Sequence, residues 1–346
     1  MPVMTELEFR TLDIRNLSDA DATALHTLFN LERFERIPED PPIPLEERLA
    51  DWKNIPTYVN VESFAYFQED RAVAYGDLGF EREGENTHLC WTDVSVHSEF
   101  RRMGLGQKLL EHVLRVAKRE NRKILIFGTS ERIPSGATFA EKIGAKRSIE
   151  NHLNRVLLEE LDRSMLQSWI ANAPNDEFEL VFYTEDYPES ELEAFCELFD
   201  VMNSAPRGEL EINDDKTTPD KLLQWQHQRK AGGWQRCLAL VKERSTGRFA
   251  GFSETGWQPN RPHILGQWGT GVNPIYRGKG LGKWLKAAML EKVLSERPEI
   301  NQVRTGNADS NGPMLKINHA LGFKPFIANT DWQLEVNEVM KRLNMK

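Results

Sequence analysis

No apolar run in the chain approaches the ~18 residues that a membrane helix needs, and 28% of the residues are charged. A helical span is therefore not expected, and neither is a membrane partner. Cysteine is scarce. Cys90, Cys196 and Cys237 are the only three, odd in number and without the spacing of a metal site. They read as small buried hydrophobes in a reducing cytoplasm, with no metal and no disulfide framework. Positive charge is in deficit, with 44 Lys and Arg against 53 Asp and Glu and a net charge of −9. That balance argues against a nucleic-acid partner and gives a weak preference for cationic ligands such as amines. The opening Met1-Pro2-Val3-Met4-Thr5-Glu6 has no charged-then-apolar leader, which fits a cytoplasmic location.

What the chain does have is length for two full cores, 346 residues, and a pattern that runs twice. In the first pass, strands are expected near 7–12, 63–68, 71–79, 88–96, 123–127 and 155–159. Helices are expected from Ser18, at 45–52, behind residue 105 and at 137–143, where Gly144 stops the last one. A helix at 161–170 and the run Ala171-Asn172-Ala173-Pro174 read as a connection. The order then restarts, with strands at 178–183, 236–242, 249–257, 264–272 and 302–305. Its helices fall at 192–202, 222–229, 281–294 and 313–321, and a mobile acidic loop is expected at 209–215. The expected domains are 1–160 and 178–346, joined by 161–177, in an α/β (α+β) chain.

Each pass contains one strand–turn–helix junction rich in glycine. The second reads Val272-Asn273-Pro274-Ile275-Tyr276-Arg277-Gly278-Lys279-Gly280-Leu281-Gly282-Lys283. The first reads Val96-His97-Ser98-Glu99-Phe100-Arg101-Arg102-Met103-Gly104-Leu105-Gly106-Gln107. The paired arginines are 277 − 101 = 176 residues apart, as are the paired valines, 272 − 96. Backbone N–H groups of such a turn, ahead of a helix dipole, suit a phosphate. The spacing of Gly278, Gly280 and Gly282 is not the G-x-G-x-x-G of a dinucleotide fold. Nor is it a P-loop, being one residue short with Trp284 after Lys283.

What both copies share is Arg-x-x-Gly-x-Gly after a strand, and there the chain resembles the GCN5-related N-acetyltransferases (GNAT), in a tandem layout similar to the mycothiol synthase group. The resemblance implies two GNAT domains, each a mixed, splayed, mainly antiparallel sheet flanked by helices. It implies acetyl-CoA as cosubstrate, with its pyrophosphate on the amides of Arg101, Arg102, Gly104 and Gly106 and of Arg277, Gly278, Lys279, Gly280, Leu281 and Gly282. Val96 and Val272 would contact the pantetheine arm. Asn311, ahead of Leu321-Gly322-Phe323, matches the family asparagine on that arm; it also suits a helix N-cap. The family's tyrosine acid, five residues before the phenylalanine, is Asn318 here, and an amide donates a hydrogen bond but is not an acid. In the first pass the matching positions are Ile133, Ala140 and Ala145, so the first domain is expected to support and the second to react.

Direct attack by an amine needs a proton acceptor. Glu254, on the strand before the cofactor strand, is the candidate base, with a surface carboxylate as the alternative reading. His263 and His319 follow it. Trp225, Trp234, Trp257, Trp268 and Trp284 line either a pocket or a core. The expected activity is acetyl transfer from acetyl-CoA to the amine of a small molecule, by a monomer or homodimer. A non-catalytic acyl-CoA sensor and an antibiotic-modifying acetyltransferase are the alternatives.

Overall fold

The computed structural model describes residues 6–184 and 186–345. Residues 1–5, most of the stretch that bears on a leader, lie outside the described residues. The first pass of the chain forms β1 (Glu8–Leu12), α1 (Asp19–Arg36), α2 (Leu45–Lys53), β2 (Val59–Gln68), β3 (Arg71–Glu81), β4 (Leu89–Trp91), β5 (Val94–Val96), α3 (Leu105–Arg119), β6 (Ile124–Ser130), α4 (Pro134–Ile143) and β7 (Lys146–Leu157). There follow α5 (Arg163–Ala171), β8 (Phe178–Tyr183), α6 (Leu192–Phe199), α7 (Pro219–Ala231), β9 (Gln235–Glu243), β10 (Phe249–Trp257) and β11 (Ile264–Val272). The chain ends with α8 (Leu281–Glu296), β12 (Gln302–Ala308), α9 (Gly312–Ala320), β13 (Lys324–Glu335) and α10 (Val336–Arg342).

Local chemistry sets these limits. Ser18 caps α1 by accepting the Asp21 N–H, and acidic residues fill the first turn while Arg33 and Arg36 fill the last. Gly144 ends α4 in the left-handed region at φ +82°. Leu105, Leu109, Val113 and Val116 place an apolar stripe on one face of α3, and that face is buried. Its counterpart α8 is buried more completely, through Leu281, Trp284, Leu285, Ala288, Met289 and Val293.

The chain forms two compact units. The first is Met1–Ile149 with Gly208–Asn213 and Asn329–Lys346, and the second is Glu150–Arg207 with Asp214–Ala328. The units are thus not sequential: the chain passes from the first to the second within β7, revisits the first over Gly208–Asn213, and returns to it within β13. The return was invisible in the sequence, because the proline, asparagine and aspartate of 324–335 break a strand pattern. Leu334, Val336, Val339 and Met340 then join the core built on α3. The 209–215 loop, read as mobile, is tied down where it crosses the first unit. His88 Nε2 bonds the Glu211 carbonyl, Gln333 Oε1 accepts the Glu211 N–H, and Asn86 Oδ1 accepts the Asn213 N–H.

Among the described pairings, each unit has one parallel pair, the others being antiparallel. In the second unit, β8, β9, β10 and β11 follow in antiparallel order. β11 pairs in parallel with β12 only at Ile264, Leu265 and Gly266. Beyond that point β11 leaves β12, while β12 stays paired with β7 on its other side from Gln302 to Ala308. In the first unit, β4 pairs in parallel with β6 at Leu89 to Trp91, whereas β5 pairs only with β3. The single strand expected at 88–96 is therefore two. Asp77 sits at the break: its Oδ1 accepts the Asp93 N–H at 2.9 Å in place of a backbone carbonyl, while its own N–H donates to the Asp93 carbonyl at 3.1 Å.

Candidate functional site

The turn after β11 is shaped by its own side chains. Asn273 Oδ1 accepts the Ile275 N–H, starting a 3-10 turn over Pro274–Tyr276. Gly278 and Gly280 then take φ of +83° and +81°. A Cβ at either would meet nothing within 4 Å, so the backbone angle and not space requires glycine there. Gly282 is different: a Cβ would lie 3.7 Å from both Ile317 and Val272, where α8 passes close to the strand end and α9. The N–H groups of Gly278, Lys279, Gly280, Leu281 and Gly282 have no hydrogen-bond partner among the described residues. They stand at the positive end of α8, which favours an anion.

The first unit repeats this design at a cost. Arg102 occupies the position of Gly278 with φ +67°, and Gly104 that of Gly280 with φ +84°. A non-glycine residue in that region costs about 1–2 kcal/mol. The amides from Arg102 to Gly106 likewise have no partner among the described residues.

Both motif arginines hold the turn itself. Arg277 Nε donates to the Val272 carbonyl at 3.1 Å and Nη2 to Ser204 Oγ at 2.6 Å. Arg101 Nε donates to the Val96 carbonyl at 2.9 Å and Nη2 to Glu35 at 2.7 Å. Each guanidinium staples the turn to the end of its strand. Lys279 pairs with Glu177 at 2.5 Å.

Asn311 caps α9, its Oδ1 accepting the Met314 N–H at 3.3 Å. Asn318 is fully buried. Its Oδ1 accepts from Lys286 Nζ, and its Nδ2 donates to Asn307 Oδ1 at 2.6 Å. Lys286 escaped the sequence reading, because one lysine in an apolar helix stripe reads as a charged end reaching water.

Glu254 is half-buried, with Oε1 3.2 Å from Nη1 of the buried Arg236. Its Oε2 accepts no hydrogen bond among the described residues. The Arg236 guanidinium lies 3.9 Å over the Tyr187 ring. His263 Nδ1 is engaged with the Glu299 carbonyl at 2.7 Å, and His319 is exposed. Trp257 and Trp284 belong to the core, whereas Trp234 and Trp268 pack edge-to-face at 5.5 Å and Trp225 is exposed. Gly256 is required by Trp268, whose ring atoms would lie 2.0 Å from a Cβ there.

In the first unit, Asp77 and Asp93 sit where β4 and β5 separate. Tyr75, nearly buried, donates to Asp77 Oδ2 at 3.1 Å and bonds Ser63 at 3.0 Å. Ser95 donates to Glu32 Oε2 at 2.6 Å. Burial first, and then the charge of Asp93, push the Asp77 carboxyl up to about 7. Burial and then Glu32 push Asp93 up to about 6. Asp93 as a residue is exposed. Sequence reasoning missed this pair; the aspartates are 16 residues apart, and only the strand break brings them together.

No group of three or more metal-ligating side chains occurs among the described residues. No helix among them is long and apolar enough to cross a membrane.

The structure is similar to that of a tandem GNAT protein from the clavulanic acid biosynthesis pathway, solved without acetyl-CoA, with a TM-score of 0.79 at 25% identity over 96% of this chain and 99% of that one. It is also similar to a GCN5-related N-acetyltransferase from Sphaerobacter thermophilus, with a TM-score of 0.63 at 17% identity over 95% and 96% of the two chains. No curated protein matches the sequence. The model of the acetyltransferase (GNAT) family matches residues 23–144 and again 179–323. With both matches carrying an unpaired-amide turn beside parted strands, the chain belongs to the acetyltransferase (GNAT) family, as a tandem of two such domains.

Proposed function

We propose that the protein transfers an acetyl group from acetyl-CoA to an amine of a small molecule, by direct attack in a ternary complex, and that the second unit does the chemistry. The observation that carries this reading is the alignment of two features. The amides of residues 278–282 stand open at the head of α8, and β11 has left β12 beyond Gly266. The first suits a pyrophosphate, and the second leaves strand edges for an amide-bearing arm. Asn311 and the main chain of Val272 flank that arm in this reading.

The acceptor nitrogen attacks the thioester carbon, the C–S bond breaks with its electron pair on sulfur, and a proton leaves the nitrogen. Glu254 is the proposed proton acceptor through Oε2, the oxygen that Arg236 leaves free. Thiol release from acetyl-CoA across a panel of small amines tests the activity. Glu254→Gln is expected to lower turnover about 100-fold with acetyl-CoA affinity unchanged. Tight binding without thiol release for any amine would replace the enzyme with an acyl-CoA-binding sensor.

The Asp77–Asp93 pair supports a second reading, in which the first unit turns over its own acceptor with one of these carboxyls as base. Under that reading Asp77→Asn lowers turnover and Glu254→Gln does not.

A further inference from the structure

Lys286 is 1% exposed, on the helix that presents the open amides. Its counterpart 176 residues earlier is Leu110, a core residue of the first unit. A buried amine is costly where leucine fits, so its retention calls for a reason. Lys286 Nζ has no carboxylate partner among the described residues. It donates to Asn318 Oδ1, touches Met314 Sδ at 3.7 Å and lies 5.5 Å from the centre of the Phe323 ring. Burial alone pushes it down to about 7, and no charged or titratable group of α8, α9 or β12 contributes to that shift.

The line of hydrogen bonds continues. Asn318 Nδ2 donates to Asn307 Oδ1 at 2.6 Å, and Asn154 Nδ2 donates to the same oxygen at 3.3 Å. Asn307 stands on the part of β12 that has left β11. The line therefore runs from α8, beside the anion turn, to the parted strand. Asn318 is fully buried, whereas Asn307 is half-buried and its Nδ2 makes no hydrogen bond among the described residues.

We propose that Lys286, acting through Asn318, balances the negative charge left on the coenzyme sulfur when the acyl group departs. This rests on the coenzyme A reading of the second unit. In the step, the amine lone pair forms the C–N bond and the C–S bond breaks with its electrons on sulfur. The nitrogen's proton goes to Glu254 or water. Lys286 holds a proton as ammonium against the thiolate, and the line through the buried Asn318 orients Asn307, whose side-chain Nδ2 supplies the N–H. The lysine is a positioning residue, and its charge and that of sulfur stabilise each other reciprocally.

The test uses the full chain with isotope-labelled lysine, the Lys286 signal being assigned by its loss in Lys286→Met and in Lys286→Leu. The signal is titrated with pH in the free protein, with coenzyme A and with desulfo-coenzyme A, which lacks the sulfur. Calorimetry measures the affinity of both ligands. The expected midpoint is about 7 in the free protein, raised by about one unit with coenzyme A and unmoved by the desulfo compound. Equal shifts, or none, with both ligands bound would overturn the proposal while leaving the coenzyme site standing. Binding of neither ligand would overturn the coenzyme reading, and the role of Lys286 with it.

Discussion

Asp77 and Asp93 keep protons that carboxyls in water would have released, and this has a consequence for stability. The Asp77 carboxyl titrates near 7 in the folded chain and near the ordinary 3.8 when exposed. Between those values the folded state binds more protons, so stability falls as pH rises from about 4 to 7. Asp77→Asn removes the titrating group and keeps the side chain's size, its oxygen accepting the Asp93 N–H and its amide donating to Tyr75 in place of the carboxyl oxygen that accepts there. It is expected to flatten that fall in the first unit by on the order of 3 kcal/mol, read from denaturant unfolding at pH 4.5 and 7.5. An unchanged slope would mean that Asp77 is ionised throughout. The same scale separates the two turns: Arg102 bears a left-handed backbone that Gly278 adopts freely. The second turn is thus the less strained cradle.

Among the elements, β11 is the one on which the site depends. Its glycines let a neighbouring turn approach: a Cβ on Gly271 would lie 2.5 Å from Val201 Cγ1 and 3.0 Å from Phe252. Val201 belongs to the 3-10 turn Asp200–Ser204, and Ser204 in turn holds Arg277. Gly271→Ala should therefore destabilise the second unit by about 1–3 kcal/mol and weaken acetyl-CoA binding by displacing the staple. Gly306→Ala, with nothing within 4 Å of its Cβ, is the control and should stay within about 0.5 kcal/mol. Denaturant melts of both variants check this; equal effects would refute the packing argument. In both units the elements with local signals were readable: Ser18, Gly144 and the glycines of the two turns act within a few residues. What stayed hidden was non-local. The break at Asp93 involves Asp77 from β3, and the second half of β13 is held as strand by partners on β6. Asn318 was found from its spacing to Phe323, but Lys286 gains meaning only when α9 is packed on α8.

At the scale of the molecule, one design is used twice and loaded differently. Both units carry a parallel pair that parts and a turn with open amides. Only the second places the line from Lys286 through Asn318 to Asn307 beside the parted pair, while the first places the raised Asp77 and Asp93 carboxyls there. The central claim is that coenzyme A binds at the turn of residues 278–282. Calorimetric titration of acetyl-CoA into the full chain, its Gly280→Val variant and its Gly104→Val variant tests it most directly. Each substitution forces a β-branched residue into a left-handed backbone and so turns the local amides away. The expected result is a loss of about tenfold or more in affinity for Gly280→Val, with melting of the core unchanged and acetyl-CoA affinity at the second unit retained in Gly104→Val. Full affinity in Gly280→Val, with binding lost in Gly104→Val, would contradict the account.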